Sequence, residues 1–319
     1  MDNKNTLIIA HRGASGYLPE HTLEAKAYAH ALGSHYIEQD LVATRDDELV
    51  VLHDIYLDQV TNVAKVFPNR HRDDGRYYVR DFTLKEIKRL SVWERRKPGG
   101  TEAVFPRRFP TGVGKFQIAT LEEEIKLIQG LNAASGRVVG IYPEIKRPAW
   151  HRSEGFDITL LTLDVLSGLG YTQRDDPIYL QCFDLAENKR IRKELGSQLK
   201  LVQLIAENTW AESDTDYERL KTESGLQAIA QIVDGVGPWL GQLTKLDGHG
   251  SGRTSTGFVR SAHDAGLLVH PYTFRADQLA PGFETFEQMV RWFVRHLHVD
   301  GLFTDFPDKA LRALQNDVV

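Results

Sequence analysis

Four short apolar runs of the chain end in residues that can do chemistry. The run Leu7–Ala10 closes on His11-Arg12-Gly13. Arginine offers a planar fork matched to phosphate oxygens, and histidine moves a proton near neutral pH. Gly13 and Gly16 let the backbone turn tightly beside a bound group. The run Tyr36–Val42 carries Glu38 and Asp40. Residues two apart on a strand share a face, so both carboxylates point one way. Two acids on the inner face of a buried strand are too costly to leave uncompensated. A hard divalent cation, Ca²⁺ or Mg²⁺, would neutralise them with oxygen ligands; at a sheet edge the same pair would simply face water. A third run closes on His53-Asp54, and a fourth carries Glu144 with Lys146 on the same face. Taken alone, His-Arg-Gly fits a structural turn, and a histidine closing a strand fits the core. Four successive strand ends bearing His/Arg, Glu/Asp, His/Asp and Glu/Lys point instead to one shared site.

The elements that must position these groups alternate. Strand-like runs cover Leu7–Ala10, Tyr36–Val42, Leu49–His53, Val138–Ile145, Ile178–Phe183, Leu199–Ile205, Leu267–Thr273 and Gly301–Thr304, with Asp234–Pro238 a weaker ninth. Helical periodicity covers Thr22–Leu32, Leu121–Leu131, Asp157–Leu169, Asp184–Glu194, Leu220–Ile232, Ser255–Ala265 and Phe283–His296. Thr120 with Glu123, and Thr83 with Glu86, read as capping boxes. Apolar strands separated by helices predict a parallel sheet buried on both faces. About eight such units, without a Gly-rich dinucleotide turn, predict an α/β fold of the (β/α)8 TIM-barrel kind, in one domain over 1–319. The turn Thr44-Arg45-Asp46-Asp47-Glu48 is too short for a parallel crossover. The second and third strands therefore form a hairpin or a distorted unit. Residues 58–119, rich in charge, Pro and Gly, read as a long insertion on the catalytic face or as a plain surface elaboration. The run Arg95-Arg96-Lys97 within it reads as a solvated loop.

Composition narrows the function. The 319 residues are 41% hydrophobic and 26% charged, with a formal net charge of −5. That is globular, and it lacks the basic face of a nucleic-acid binder. No stretch of about 20 apolar residues predicts a membrane span. The single cysteine, Cys182, cannot form an internal disulfide, so the compartment stays open.

The motifs together resemble the glycerophosphodiester phosphodiesterase family of TIM-barrel enzymes. The resemblance runs from the opening stretch His11-Arg12-Gly13-Ala14-Ser15-Gly16-Tyr17-Leu18-Pro19-Glu20-His21-Thr22 to Gly301-Leu302-Phe303-Thr304-Asp305. Glu38-Gln39-Asp40, Val51-Leu52-His53-Asp54, Pro143-Glu144-Ile145-Lys146 and Leu180-Gln181-Cys182-Phe183 lie between, in the family's order. The insertion, and His21 where many members carry Asn, point to the bacterial periplasmic branch. A periplasmic location follows from that likeness; a cytoplasmic one is the alternative. Tyr272-Thr273-Phe274-Arg275 departs from the family pattern by placing Arg275 where a small polar group is usual.

The resemblance implies a division of labour. Glu38, Asp40 and Glu144 would hold one divalent cation, with Ca²⁺ favoured over Mg²⁺. His11 and His53 would act as general acid and base, in either assignment. Arg12 and Lys146 would hold the phosphate, while Gln181, Phe183 and Tyr272 would line the substrate pocket. Phe183 is equally at home in barrel packing, and Asp305 either orients a neighbouring group or caps a helix. The implied substrates are small glycerophosphodiesters such as glycerophosphocholine or glycerophosphoethanolamine, cleaved to glycerol 3-phosphate and an alcohol. The nucleophile is water or the substrate's own hydroxyl.

Three other readings compete with this one. A lysophospholipase D or sphingomyelinase-like enzyme would need an apolar groove or a membrane-surface helix, and 58–119 shows no such helix. A binding module for a metal–phosphate ligand would have no need of two histidines. A scaffold would show repeats, and none occur. Oligomeric state, including a homodimer, is not legible.

Overall fold

The computed structural model describes residues 6–246 and 253–315. Its strands are β1 (Leu7–Ala10), β2 (Tyr36–Ala43), β3 (Leu49–Val51), β4 (Gly140–Ile145), β5 (Tyr179–Cys182), β6 (Lys200–Ile205), β7 (Gly235–Pro238), β8 (Thr244–Leu246), β9 (Arg253–Ser255), β10 (Leu268–Val269) and β11 (Gly301–Thr304). Eight of them run parallel in the order β10-β7-β6-β5-β4-β2-β1-β11. The two ends nearly meet: Asp300 N–H donates to Val269 O at 3.0 Å and Phe303 N–H to Pro271 O at 3.0 Å. The architecture is the expected barrel, with helices packed outside.

The membership of the barrel differs from expectation. β3 is not a barrel strand. It folds back antiparallel on β2, pairing Leu41 with Val51 and Ala43 with Leu49, as the short turn requires. The eighth barrel strand is the weak ninth run, β7, between β6 and β10.

Helix starts follow their caps. Thr22, Thr83 and Thr120 each accept a backbone N–H, and both expected capping boxes form. Leu220–Ile232 divides into Tyr217–Leu220 and Glu223–Ile229, because Thr222 caps the second piece. The helix expected from Ser255 begins at Phe258, since Ser255 is paired in β9. Short helices Pro148–Ser153 and Pro307–Gln315 were not anticipated.

Two cores result. The larger lies between the barrel and its helices. The second gathers Val42, Val50, Leu57, Val63, Phe82, Ile87 and Phe116 beneath the insertion. β3 is apolar on both faces because it lies between the two cores: Leu49 and Val51 pack into the larger one and Val50 into the second.

Candidate active site

Side chains of one parity build the barrel interior in layers. On β2 the inward series is Tyr36, Glu38, Asp40; on β4 and beyond it is Tyr142, Glu144, Lys146; on β5 and beyond it is Tyr179, Gln181, Phe183. The lower members form an aromatic floor. Tyr142 stacks on Tyr179 at 5.0 Å and meets Phe303 edge-on at 4.9 Å. The upper members are charged or polar. Strand register aligns them: Asp40 lies beside Glu144, and Glu144 beside Gln181. One ligand oxygen from each of Glu38, Asp40 and Glu144 fits within 4.8 Å of the others.

These acids are buried, and their partners are few. Gln181 donates to Glu38 Oε1 at 3.0 Å, and the Arg12 N–H donates to Oε2 at 2.8 Å. Lys146 Nζ sits 2.8 Å from Glu144 Oε1. Asp40 Oδ1 is buried with no hydrogen-bond partner. Burial, then repulsion from Asp40, lifts Glu38 to about 8. Burial likewise lifts Glu144 well above the usual carboxylate range, against the pull of Lys146. Burial would raise Asp40 too, but Lys146 and His21 outweigh it and hold that group low. An all-oxygen donor set with an orphaned carboxylate oxygen, in a setting where burial penalises charge on Glu38 and Glu144, fits a hard divalent cation.

Two histidines open onto the same cleft. His11 follows β1, where Arg12 at φ 59° and Gly13 at φ 86° turn the chain. A Cβ on Gly13 would come 2.9 Å from the Ala25 backbone, so the position demands glycine. His11 Nδ1 lies 2.6 Å from Asp305 Oδ1. His53 is carried back to the cleft by the β2–β3 hairpin, with Nδ1 2.6 Å from Asp54 Oδ1. Asp305 and Asp54 are both held well below the usual range, because nearby arginines overcome the burial that would raise them. An ionised carboxylate only accepts, so each Nδ1 carries the proton and each Nε2 is left to exchange one. Burial, then Arg12, depresses His11 to about 4; burial, Arg12 and Lys146 depress His53.

The cleft, about 210 Å³, gathers every expected site residue: His11, Arg12, Glu38, Asp40, His53, Glu144, Lys146, Gln181, Phe183 and Tyr272. Arg12 also pairs with Glu20 at 3.0 Å, and Tyr272 donates its hydroxyl to Ile205 O at 2.9 Å. Phe183 meets Tyr272 edge-on at 5.9 Å. Asp305 takes the orienting role of its two expected ones. Trp210 and Trp239 at the rim, 5.4 Å apart, were missed; neither sits in a strand motif.

One expectation fails outright. Arg95 is not in a solvated loop. It clamps Asp54 at 2.5 Å and Glu20 at 2.6 Å, because two buried acids need a cation between them. Arg108, also from the insertion, binds Asp305 at 2.6 Å and Asp277 at 2.8 Å. The insertion thus braces both histidine-orienting carboxylates.

The model of the glycerophosphoryl diester phosphodiesterase family matches residues 11–309. The chain belongs to this family. A glycerophosphodiester phosphodiesterase of Haemophilus influenzae is 46% identical over 97% of this chain and 90% of its own length. Another, from Treponema pallidum, is 36% identical over 97% and 91%. As a glycerophosphodiester phosphodiesterase family member the chain is an enzyme, a phosphoric diester hydrolase. Solved structures share the fold. One is an Oleispira antarctica phosphodiesterase in complex with the product sn-glycerol-3-phosphate, at TM-score 0.64 and 18% identity, covering 98% of each chain. Another is the Thermotoga maritima glycerophosphodiester phosphodiesterase, at TM-score 0.58 and 18% identity, covering 96% and 97%. Among the described residues, no helix is long and apolar enough to cross a membrane.

Proposed function

We propose that the enzyme hydrolyses small glycerophosphodiesters, such as glycerophosphocholine and glycerophosphoethanolamine, to glycerol 3-phosphate and an alcohol, with His11 and His53 as its acid–base pair. The observation that carries this reading is the meeting, in one cleft, of three carboxylates and two Asp-anchored histidines. The product complex of the Oleispira antarctica phosphodiesterase supports the substrate class.

Glu38, Asp40 and Glu144 would hold the divalent cation, Ca²⁺ by the likeness to the periplasmic branch and Mg²⁺ as the alternative. Such a cation supplies Lewis-acid polarisation of a phosphoryl oxygen. Arg12 and Lys146 bind the remaining phosphate oxygens and stabilise the charge that builds there. Nε2 of one histidine takes the proton of the attacking hydroxyl, and Nε2 of the other returns one to the leaving alkoxide. Gln181 steadies Glu38, and Phe183 and Tyr272 wall the organic part of the substrate. The likeness to the periplasmic branch also carries the proposed location, which fractionation of the native cells checks.

Glycerol 3-phosphate release from glycerophosphocholine tests this reading, using stripped protein, protein with Ca²⁺ or Mg²⁺ restored, and the His11→Ala and His53→Ala variants. We expect turnover only with cation, and a loss of about 10²–10⁴-fold in each variant. Cation-independent turnover, or an active histidine variant, overturns the assignment.

A second reading has one observation behind it. An apolar groove of about 360 Å³ opens beside the cleft and shares Trp239, Thr273 and Arg275 with it. A lipid-directed activity would use such a groove, so lysophosphatidylcholine belongs in the same assay.

A further inference from the structure

Behind the carboxylates runs a buried line of charged groups that the reaction itself does not use. Lys26, on helix Leu23–Ala31, and Glu124, on helix Leu121–Ser135, are both fully buried. An ammonium has three N–H bonds to place. Lys26 Nζ lies 3.1 Å from Glu124 Oε2 as an ion pair, and donates to the main-chain carbonyl of Glu38 and to Nδ1 of His21 at 3.1 Å. The third contact decides the state of the imidazole. A ring nitrogen that accepts from an ammonium carries no proton, so the proton of His21 sits on Nε2. That atom lies 2.7 Å from Asp40 Oδ2 and donates to it. The ring has little freedom to do otherwise: the His21 backbone is at φ 58°, and its N–H donates to Arg12 O at 2.9 Å. Asp40 is thereby held through one oxygen, while Oδ1 stays buried and unpartnered.

We propose that Glu124, Lys26 and His21 form a positioning chain for the cation site, in which Lys26 selects the Nε2–H tautomer of His21, His21 pins Asp40 Oδ2, and Asp40 Oδ1 is left for the divalent cation. The proposal rests on the reading that Glu38, Asp40 and Glu144 bind a cation. Partners that orient metal ligands in this way typically change metal affinity 10–100-fold when removed. A plain structural ion pair between the two helices would alter stability and leave affinity alone.

Two measurements separate these roles. Ring ¹⁵N NMR of metal-free protein, with the His21 signals assigned from a His21→Asn variant, should show the proton on Nε2; a proton on Nδ1 overturns the proposal. Calorimetric titration with Ca²⁺ should show His21→Phe weakened at least about tenfold, with His21→Asn, which keeps an N–H donor, recovering most of the loss. The buried double variant Lys26→Met/Glu124→Gln should weaken binding similarly; if it does not fold, the His21 variants and the NMR still decide. His21→Phe binding Ca²⁺ within twofold of wild type overturns the chain while leaving the cation reading intact. Wild-type protein that binds neither Ca²⁺ nor Mg²⁺ removes the cation reading, and the chain with it.

Discussion

His11 and His53 face one cleft and present the same atom to it, yet opposite parts of the molecule hold them. His11 stands on a barrel strand, its side chain 9% exposed, anchored to a carboxylate from the last strand of the barrel. His53 stands on the hairpin outside the barrel, 30% exposed, anchored to its sequence neighbour. Asp305 is boxed by Arg108 and Arg275; Asp54 is clamped by Arg95, which Glu20 shares. The orienting device is the same on both sides, a histidine, an ionised aspartate and an arginine. Only its source differs. The barrel places the three carboxylates and His11 by strand register, and the insertion supplies a brace to each histidine's aspartate. The insertion is therefore part of the machinery without lining the cleft.

The sharpest challenge to this parity is to neutralise each anchor. Asp305→Asn and Asp54→Asn should each lower kcat by about 10²-fold or more, because the amide no longer secures the tautomer with Nδ1–H. Their stability costs should differ. Asp305→Asn takes the carboxylate from Arg275 while Arg108 keeps Asp277, and at a side chain only 1% exposed it should cost about 3–5 kcal/mol in denaturant unfolding, whereas Asp54 is 20% exposed and Arg95 keeps Glu20 after Asp54→Asn. Equal losses of stability would break the comparison.

Removing the brace comes next. Arg95→Met should cost about 3 kcal/mol, since Asp54 and Glu20 lose their shared cation in a buried setting. Activity should fall about tenfold, by the loss typical of a supporting residue. An Arg95→Met protein with wild-type kcat and unfolding free energy would reduce the insertion to decoration.

A smaller effect concerns pH. Glu94, buried in the insertion near Glu20, is lifted to about 8 by burial and then by that like charge. Its folded value lies above its unfolded one. Its contribution is therefore fully present below pH about 4.5 and is lost as pH rises through about 8. Glu94→Gln should leave stability near pH 4 unchanged and raise it at pH 9. Parallel stability–pH curves for the two proteins would show that Glu94 titrates normally.

The smallest effect is a control on the same run of charges. Lys97 pairs with Glu102 at 3.0 Å, both more than half exposed. Lys97→Ala should change stability by less than about 0.5 kcal/mol and leave kcat unchanged. A larger change would mean that the whole run matters, and not the buried Arg95.

The inner series of β2, β4 and β5 was legible because a strand's period of two writes its face directly into the sequence. Glu38, Asp40, Glu144 and Lys146 could be assigned to one side before any coordinates. β7 was hard to read for a physical reason. A Cβ on Gly237 would lie 2.6 Å from Leu204, and one on Gly235 would lie 3.0 Å from the Leu268 carbonyl. Glycine suits the tight packing of this strand against its neighbours, and glycine erases the apolar signal. β3 misled in the other direction: its run is apolar throughout because it is buried between the two cores, without being a barrel strand. Arg95 was misread because its burial depends on Glu20, 75 residues away, and local composition cannot show a distant partner.

Closure of the barrel has a consequence for a chain that emerges from a ribosome. His11 is made 294 residues ahead of its anchor. Until β11 docks beside β1, in register from Leu7 with Gly301 to Ala10 with Thr304, all three carboxylates and both imidazoles exist, but one imidazole has no fixed tautomer. On the proposed role of His11, a nascent or C-terminally clipped polypeptide lacking β11 lacks the anchor that fixes this tautomer.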